Sequence, residues 1–123
     1  MVLVDTSVWI RFFFGREPFL SGAGRLIRKA EAAGHELVYG ELLMGDRGGR
    51  KQFLLDYERM QRAIAVPHRE VVALVRGRKL HGRGVGWIDV QLLASALAGR
   101  MQFWTADPCL AAMAEELGVA YKL

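Results

Sequence analysis

The sequence predicts an α/β fold. It reads as a single domain over residues 1–123, with a central, mainly parallel β-sheet flanked by helices. Three observations carry this. The short apolar runs "MVLV" and "MQFW" read as buried strands, and each leads to an aspartate, Asp5 or Asp107. The segments between them repeat apolar residues at helical spacing. Strands alternating with helices over 123 residues suit one compact core built on a parallel sheet.

Each element follows in turn. "MVLV" is the first strand, stopping at Asp5, and Phe12 to Gly15 with Pro18 end the helix after it. Residues 20–33 place Leu20, Ala23, Leu26, Ile27 and Ala30 on one helix face, with Gly34 as the stop. Leu37-Val38 reads as a short strand or extended entry to a helix holding Glu41, Leu42 and Leu43. Gly48-Gly49 breaks the chain. Phe53, Tyr57, Met60 and Ile64 then share a helix face. "AVPH" is a brief strand ended by Pro67. Val71, Val72 and Val75 mark another helix, followed by a basic glycine loop and the helix of "WIDVQLLASAL". "MQFWTAD" is the second clear strand. Residues 108–117 form a helix capped by Gly118, and "VAYKL" is a last strand.

Composition narrows the function. The chain is 52% apolar, which excludes a disordered tail, and no apolar run is long enough to span a membrane. The start lacks the features of a signal peptide. Cys109 is the only cysteine, so there is no disulfide framework and no cysteine-based zinc site, and a cytoplasmic setting is expected. Packing predicts Cys109 to be a buried small residue. Lys and Arg total 17 against 13 acids, a net charge of +4, and 13 of the 17 are Arg. That balance fits either a solvated basic surface or attraction to nucleic acid or an acidic partner.

In parallel α/β sheets, ligands bind beyond the carboxyl ends of the strands. Asp5 and Asp107 both stand there. Each also fits the role of a helix N-cap, Asp107 most clearly because Pro108 follows it. Glu41 sits between apolar neighbours in "VYGELLMG". Asp89 is harder to explain as surface decoration. At about 100° per residue it falls inside the arc of Ile88, Leu92, Ala96, Leu93 and Leu97, with Gln91, Ser95 and Ala98 opposite. A carboxylate turned inward must be paired, protonated or bound to a cation. Four clustered acids repel unless a cation intervenes. Oxygen donors without Cys or His favour Mg²⁺ or Mn²⁺. Gly82, Gly84 and Gly86 follow a basic helix rather than a strand, so they lack the context of a dinucleotide loop.

With these motifs in view, the chain resembles a PIN-domain ribonuclease, specifically a VapC-type toxin of a bacterial type II toxin–antitoxin pair. "VDTSVWI", "VYGELLMG", "GRGVGWIDVQLLASAL" and "FWTADPCL" resemble that family's four acidic motifs, in order and nearly end to end. The resemblance implies that Asp5, Glu41, Asp89 and Asp107 are catalytic and hold the metal. It implies that Thr6 or Ser7 bonds a water or phosphate there, and that Thr105 orients Asp107 or the substrate. The implied enzyme is a metal-dependent endoribonuclease leaving a 5′-phosphate and a 3′-hydroxyl. Its implied partners are RNA, a cognate antitoxin and a second copy of itself.

Two other readings stay open at this stage. One is a Mg²⁺-dependent phosphate-handling or receiver-like domain, which an aspartyl-phosphate on Asp5 would favour. The other is a non-catalytic binding module, which an unchanged melting temperature with Mn²⁺ would favour. Trp9 and Trp104 read as core, whereas Trp87 is equally compatible with packing and with stacking on a base. No role is assigned to His35, His68 or His81.

Overall fold

The computed structural model describes residues 1–123. Strand β1 (Val2–Val4) lies at the centre of a three-stranded parallel sheet of order β2-β1-β3, with β2 at Ala32–Ala33 and β3 at Gln102–Trp104. Seven helices surround it: α1 (Thr6–Phe13), α2 (Phe19–Arg28), α3 (Glu36–Met44), α4 (Lys51–Glu58), α5 (His68–Arg78), α6 (Trp87–Ala98) and α7 (Pro108–Glu116). The α/β class with a parallel sheet and flanking helices is as the sequence predicts.

The all-apolar β1 has all three residues buried, as a strand covered on both faces requires. Below it, Trp9 packs edge-on against Phe12, Phe53 and Tyr57. These rings join α1 to α4. On the other side, Gly22 lets α2 approach β3 closely, since a Cβ there would meet the Trp104 ring at 2.7 Å. Trp9 and Trp104 are core residues, as expected.

Several elements differ from the sequence reading. The helix expected over 20–33 stops at Arg28, and Ala32–Ala33 pair with β1 as β2. The reversal is made at Ala30, whose φ is 54°. The extended entry at Leu37-Val38 is instead the first turn of α3, because the His35 side chain caps it, Nδ1 accepting from the Leu37 N–H at 3.0 Å. Helix α4 ends at Glu58, so Ile64 leaves the helix and is 84% exposed. "AVPH" forms no strand. Sheet-like pairing in that region is a single bridge between Gly34 and Arg62. "VAYKL" likewise contributes one bridge, Ala120 to Phe103. Cys109 is exposed rather than buried, because it sits in the first turn of α7.

Candidate active site

Asp5 follows β1 and precedes α1, at the N-cap position, yet its side chain makes no capping bond. Instead its Oδ2 accepts from Ser7 Oγ at 2.6 Å and from Thr105 Oγ1 at 2.8 Å. Each hydroxyl has one hydrogen and gives it to Asp5, so the 3.2 Å approach of Ser7 Oγ to Thr105 Oγ1 is a packing contact. Both hydroxyls also accept, from the Ala106 and Asp107 N–H groups at 3.0 and 3.1 Å. This net locks the carboxylate rotamer and ties the end of β1 to the end of β3. Asp5 is 4% exposed.

Glu41 stands on α3, facing α1. Its Oε1 accepts from Thr6 Oγ1 at 2.7 Å. Asp107 does cap α7: its Oδ1 accepts from the Cys109 and Leu110 N–H groups at 2.8 and 3.4 Å. That leaves Oδ2 free. The three hydroxyl residues picked out in the sequence therefore hold acids in place: Thr6 holds Glu41, while Ser7 and Thr105 hold Asp5. Thr105 also reaches the backbone of Asp107.

Asp89 lies in the first turn of α6, partly buried. Its carboxyl is pushed up to about 6, first by burial and then by the negative charges of Asp5, Glu41 and Asp107. All three therefore act on Asp89 across a common space. None of the four acids is in an ion pair; the two salt bridges of the chain, Arg83–Glu116 and Lys122–Glu115, lie elsewhere. The buried face of the helix differs from the one its wheel suggests. Ser95, expected on the outer side, is 1% exposed, and Ile88 is 39% exposed.

Ser95 is buried against His35, a residue to which the sequence assigns no role. Its Oγ lies 2.9 Å from His35 Nε2. Since Nδ1 accepts at the α3 cap, the neutral tautomer carries its proton on Nε2 and donates to Ser95. Burial lowers the His35 pKa, which keeps the ring neutral. A signal existed in the sequence: a polar residue before an apolar helix is a cap candidate.

The acids have the donor chemistry of a hard divalent cation: oxygen ligands, uncompensated charge, and one member forced towards its neutral form. No three His, Cys, Asp or Glu side chains stand close enough to enclose an ion. The four acids therefore face one another in an open arrangement.

Comparison with known proteins places the chain in a family. The PIN domain model matches residues 2–116. The chain belongs to the PIN-domain family. All four acids lie within the matched segment. This PIN domain is 40% identical over 121 residues to Ribonuclease VapC32 of Mycobacterium tuberculosis, in both strain CDC 1551 / Oshkosh and strain ATCC 25618 / H37Rv. The alignment covers 98% of this chain and 95% of the relative, so the PIN domain here is of the VapC type. It also resembles the crystal structure of PAE2754 from Pyrobaculum aerophilum, with a TM-score of 0.59 and 17% identity, over 90% of this chain and 82% of that one. At that identity the likeness speaks for the fold.

Proposed function

We propose that this PIN domain is a divalent-metal-dependent endoribonuclease, the toxin of a type II toxin–antitoxin pair acting in the cytoplasm. The observation that carries the reading is Asp89. Its carboxyl is raised to about 6 by burial and by Asp5, Glu41 and Asp107, and no cationic side chain pairs with any of the four. Such a cluster is costly in an otherwise basic chain unless it serves a cation. The name of the 40%-identical relative, Ribonuclease VapC32, supports RNA as the substrate.

In this reading Asp5, Glu41, Asp89 and Asp107 hold Mg²⁺ or Mn²⁺. When bound, the ion supplies charge neutralisation and Lewis-acid activation for phosphodiester hydrolysis. The chain's own residues do the rest. Ser7 and Thr105 both engage Asp5 Oδ2 and leave Oδ1 for the ion. Thr6 fixes Glu41. Asp107 spends one oxygen on its helix cap and offers the other. No helix is long and apolar enough to cross a membrane.

The partners follow from the same reading. An antitoxin with a basic residue neutralises the acid cluster and blocks it. A second copy covers exposed apolar side chains such as Phe14 (71%) and Met44 (86%). A mass that stays monomeric over a wide concentration range would remove the dimer.

The test is RNA cleavage with Mn²⁺ or Mg²⁺ against EDTA, in wild type, Asp5→Asn and Asp89→Asn. Cleavage is expected only in metal-supplied wild type. Full activity in both variants, or in EDTA, would overturn the assignment. Sequencing of RNA 5′ ends after induction of wild type and Asp5→Asn identifies the target.

A further inference from the structure

The three tryptophans divide sharply. Trp9 and Trp104 are 0% and 5% exposed, whereas Trp87 is 43% exposed. Trp87 opens α6, two residues before Asp89. Its ring meets His68, the first residue of α5, edge-on at 5.3 Å and 61°. Two adjoining hollows, of about 240 and 210 Å³, share Trp87, Val75 and His81 as walls. Arg76 borders the first and Gly86 the second, and no Asp or Glu lines either.

We propose that Trp87 and these hollows form a subsite for one unpaired RNA base beside the scissile phosphate. The proposal rests on the ribonuclease reading and adds a place for the substrate to it. The occupant follows from the chemistry of the walls. An exposed indole and a valine floor suit a flat, uncharged aromatic group, and base–aromatic stacking is favourable for every base. Arg76 on the rim, with Arg78 and Lys79 just beyond it in sequence, suits an anionic backbone rather than an acidic side chain alone.

Proximity ties the subsite to the acids. A Cβ placed on Gly86, which lines the second hollow, would lie 3.8 Å from Asp89 Oδ2. A nucleotide whose base rests on Trp87 therefore carries its phosphate towards the carboxylates. Trp87 acts as a positioning residue for the substrate strand, holding a base while the neighbouring linkage meets the site.

The experiment has two arms. In the first, kcat/KM is measured for a short single-stranded RNA that wild type cleaves. Trp87→Leu should lower it roughly 5- to 150-fold, chiefly through KM. Trp87→Phe should recover most of the loss, and unchanged melting temperatures exclude a folding defect. In the second arm, tryptophan fluorescence of wild type is followed in EDTA at low salt. Because the other two indoles are buried, quenching reports Trp87. Oligoadenylate should quench, and an abasic ribose-phosphate strand of equal length should not.

Wild-type cleavage with an unaffected Trp87→Leu, or equal quenching by the abasic strand, overturns the subsite and leaves the ribonuclease reading standing. Absence of any cleavage by wild type overturns that reading. The fluorescence arm then still decides whether Trp87 receives a base.

Discussion

At the scale of single residues, Asp89 and His35 set opposite pH dependences. Asp89 has its folded pKa raised to about 6, so its contribution to stability is fully present below the unfolded carboxylate range and is lost as pH rises through about 6. His35 is held neutral by burial, so its contribution is present above the unfolded histidine value, about 6.5, and is lost as pH falls below it. Asp89→Asn removes the first effect and leaves the second. In EDTA the variant should melt higher than wild type at pH 8, and the difference should vanish near pH 5, where Asp89 is itself largely neutral. Thermal melts of both proteins across that range check it; a variant that melts lower at pH 8 refutes it. The sequence exposed Asp89 because a carboxylate in an apolar arc breaks a periodic pattern. It offered His35 only as a cap candidate and hid its bond to Ser95, because that partnership spans 60 residues.

At the scale of elements, legibility depended on how helices end. Helices α2, α6 and α7 share one device. Just past the helix a residue turns to positive φ, and the next N–H reaches back six-to-one, as in Glu31 to Leu26, Met101 to Ala96 and Val119 to Ala114. In each the chain then enters or approaches the sheet. At α7 the turning residue is Gly118 and the helix end was readable. At α6 Arg100 (φ 53°) follows Gly99 and the apolar pattern itself ends at Leu97, one residue short of the helix end, whereas at α2 the turning residue is Ala30 (φ 54°), which signals no stop. The lone apolar periodicity therefore ran on through β2. The left-handed conformation costs a residue with a Cβ about 1 kcal/mol relative to glycine. Ala30→Gly should stabilise the protein by about that amount, read as a higher urea midpoint at unchanged slope. The short strands at 65–68 and 119–123 were overread for a related reason. A strand-like composition fits any extended segment, and here 65–68 pairs with nothing while 119–123 makes one bridge, at Ala120.

At the scale of the whole molecule, strand order decides where charge collects. With β1 central and β3 beside it, Asp5 and Thr105 leave the sheet side by side, and α3 and α6 bring Glu41 and Asp89 to the same edge. The parallel sheet and the four candidate acids were legible in the sequence, because each acid closes a strand or interrupts an apolar helix; the order β2-β1-β3 was not, because β2 is only Ala32–Ala33 and reads as the end of a helix. Nor was the openness of the cluster, because it depends on the relative placement of groups up to 102 positions apart in the chain, Asp5 and Asp107. Neutralising the four acids takes the chain from +4 to +8. RNA therefore meets two opposing fields: attraction from the Arg-rich surface and repulsion from the site itself. Without a divalent ion the second field persists, so removing acids should strengthen binding even as it ends cleavage. In EDTA, the Asp5→Asn/Asp89→Asn double variant should bind single-stranded RNA more tightly than wild type, on the order of 5- to 10-fold at low salt. Its affinity should fall with salt at a logarithmic slope near −0.7 per phosphate contacted. Added Mn²⁺ should tighten wild-type binding and leave the double variant almost unchanged, since the variant lacks the charge that the ion neutralises. Fluorescence anisotropy of a labelled RNA measures all three quantities. A double variant that binds more weakly than wild type in EDTA would mean that the acids do not face the RNA backbone.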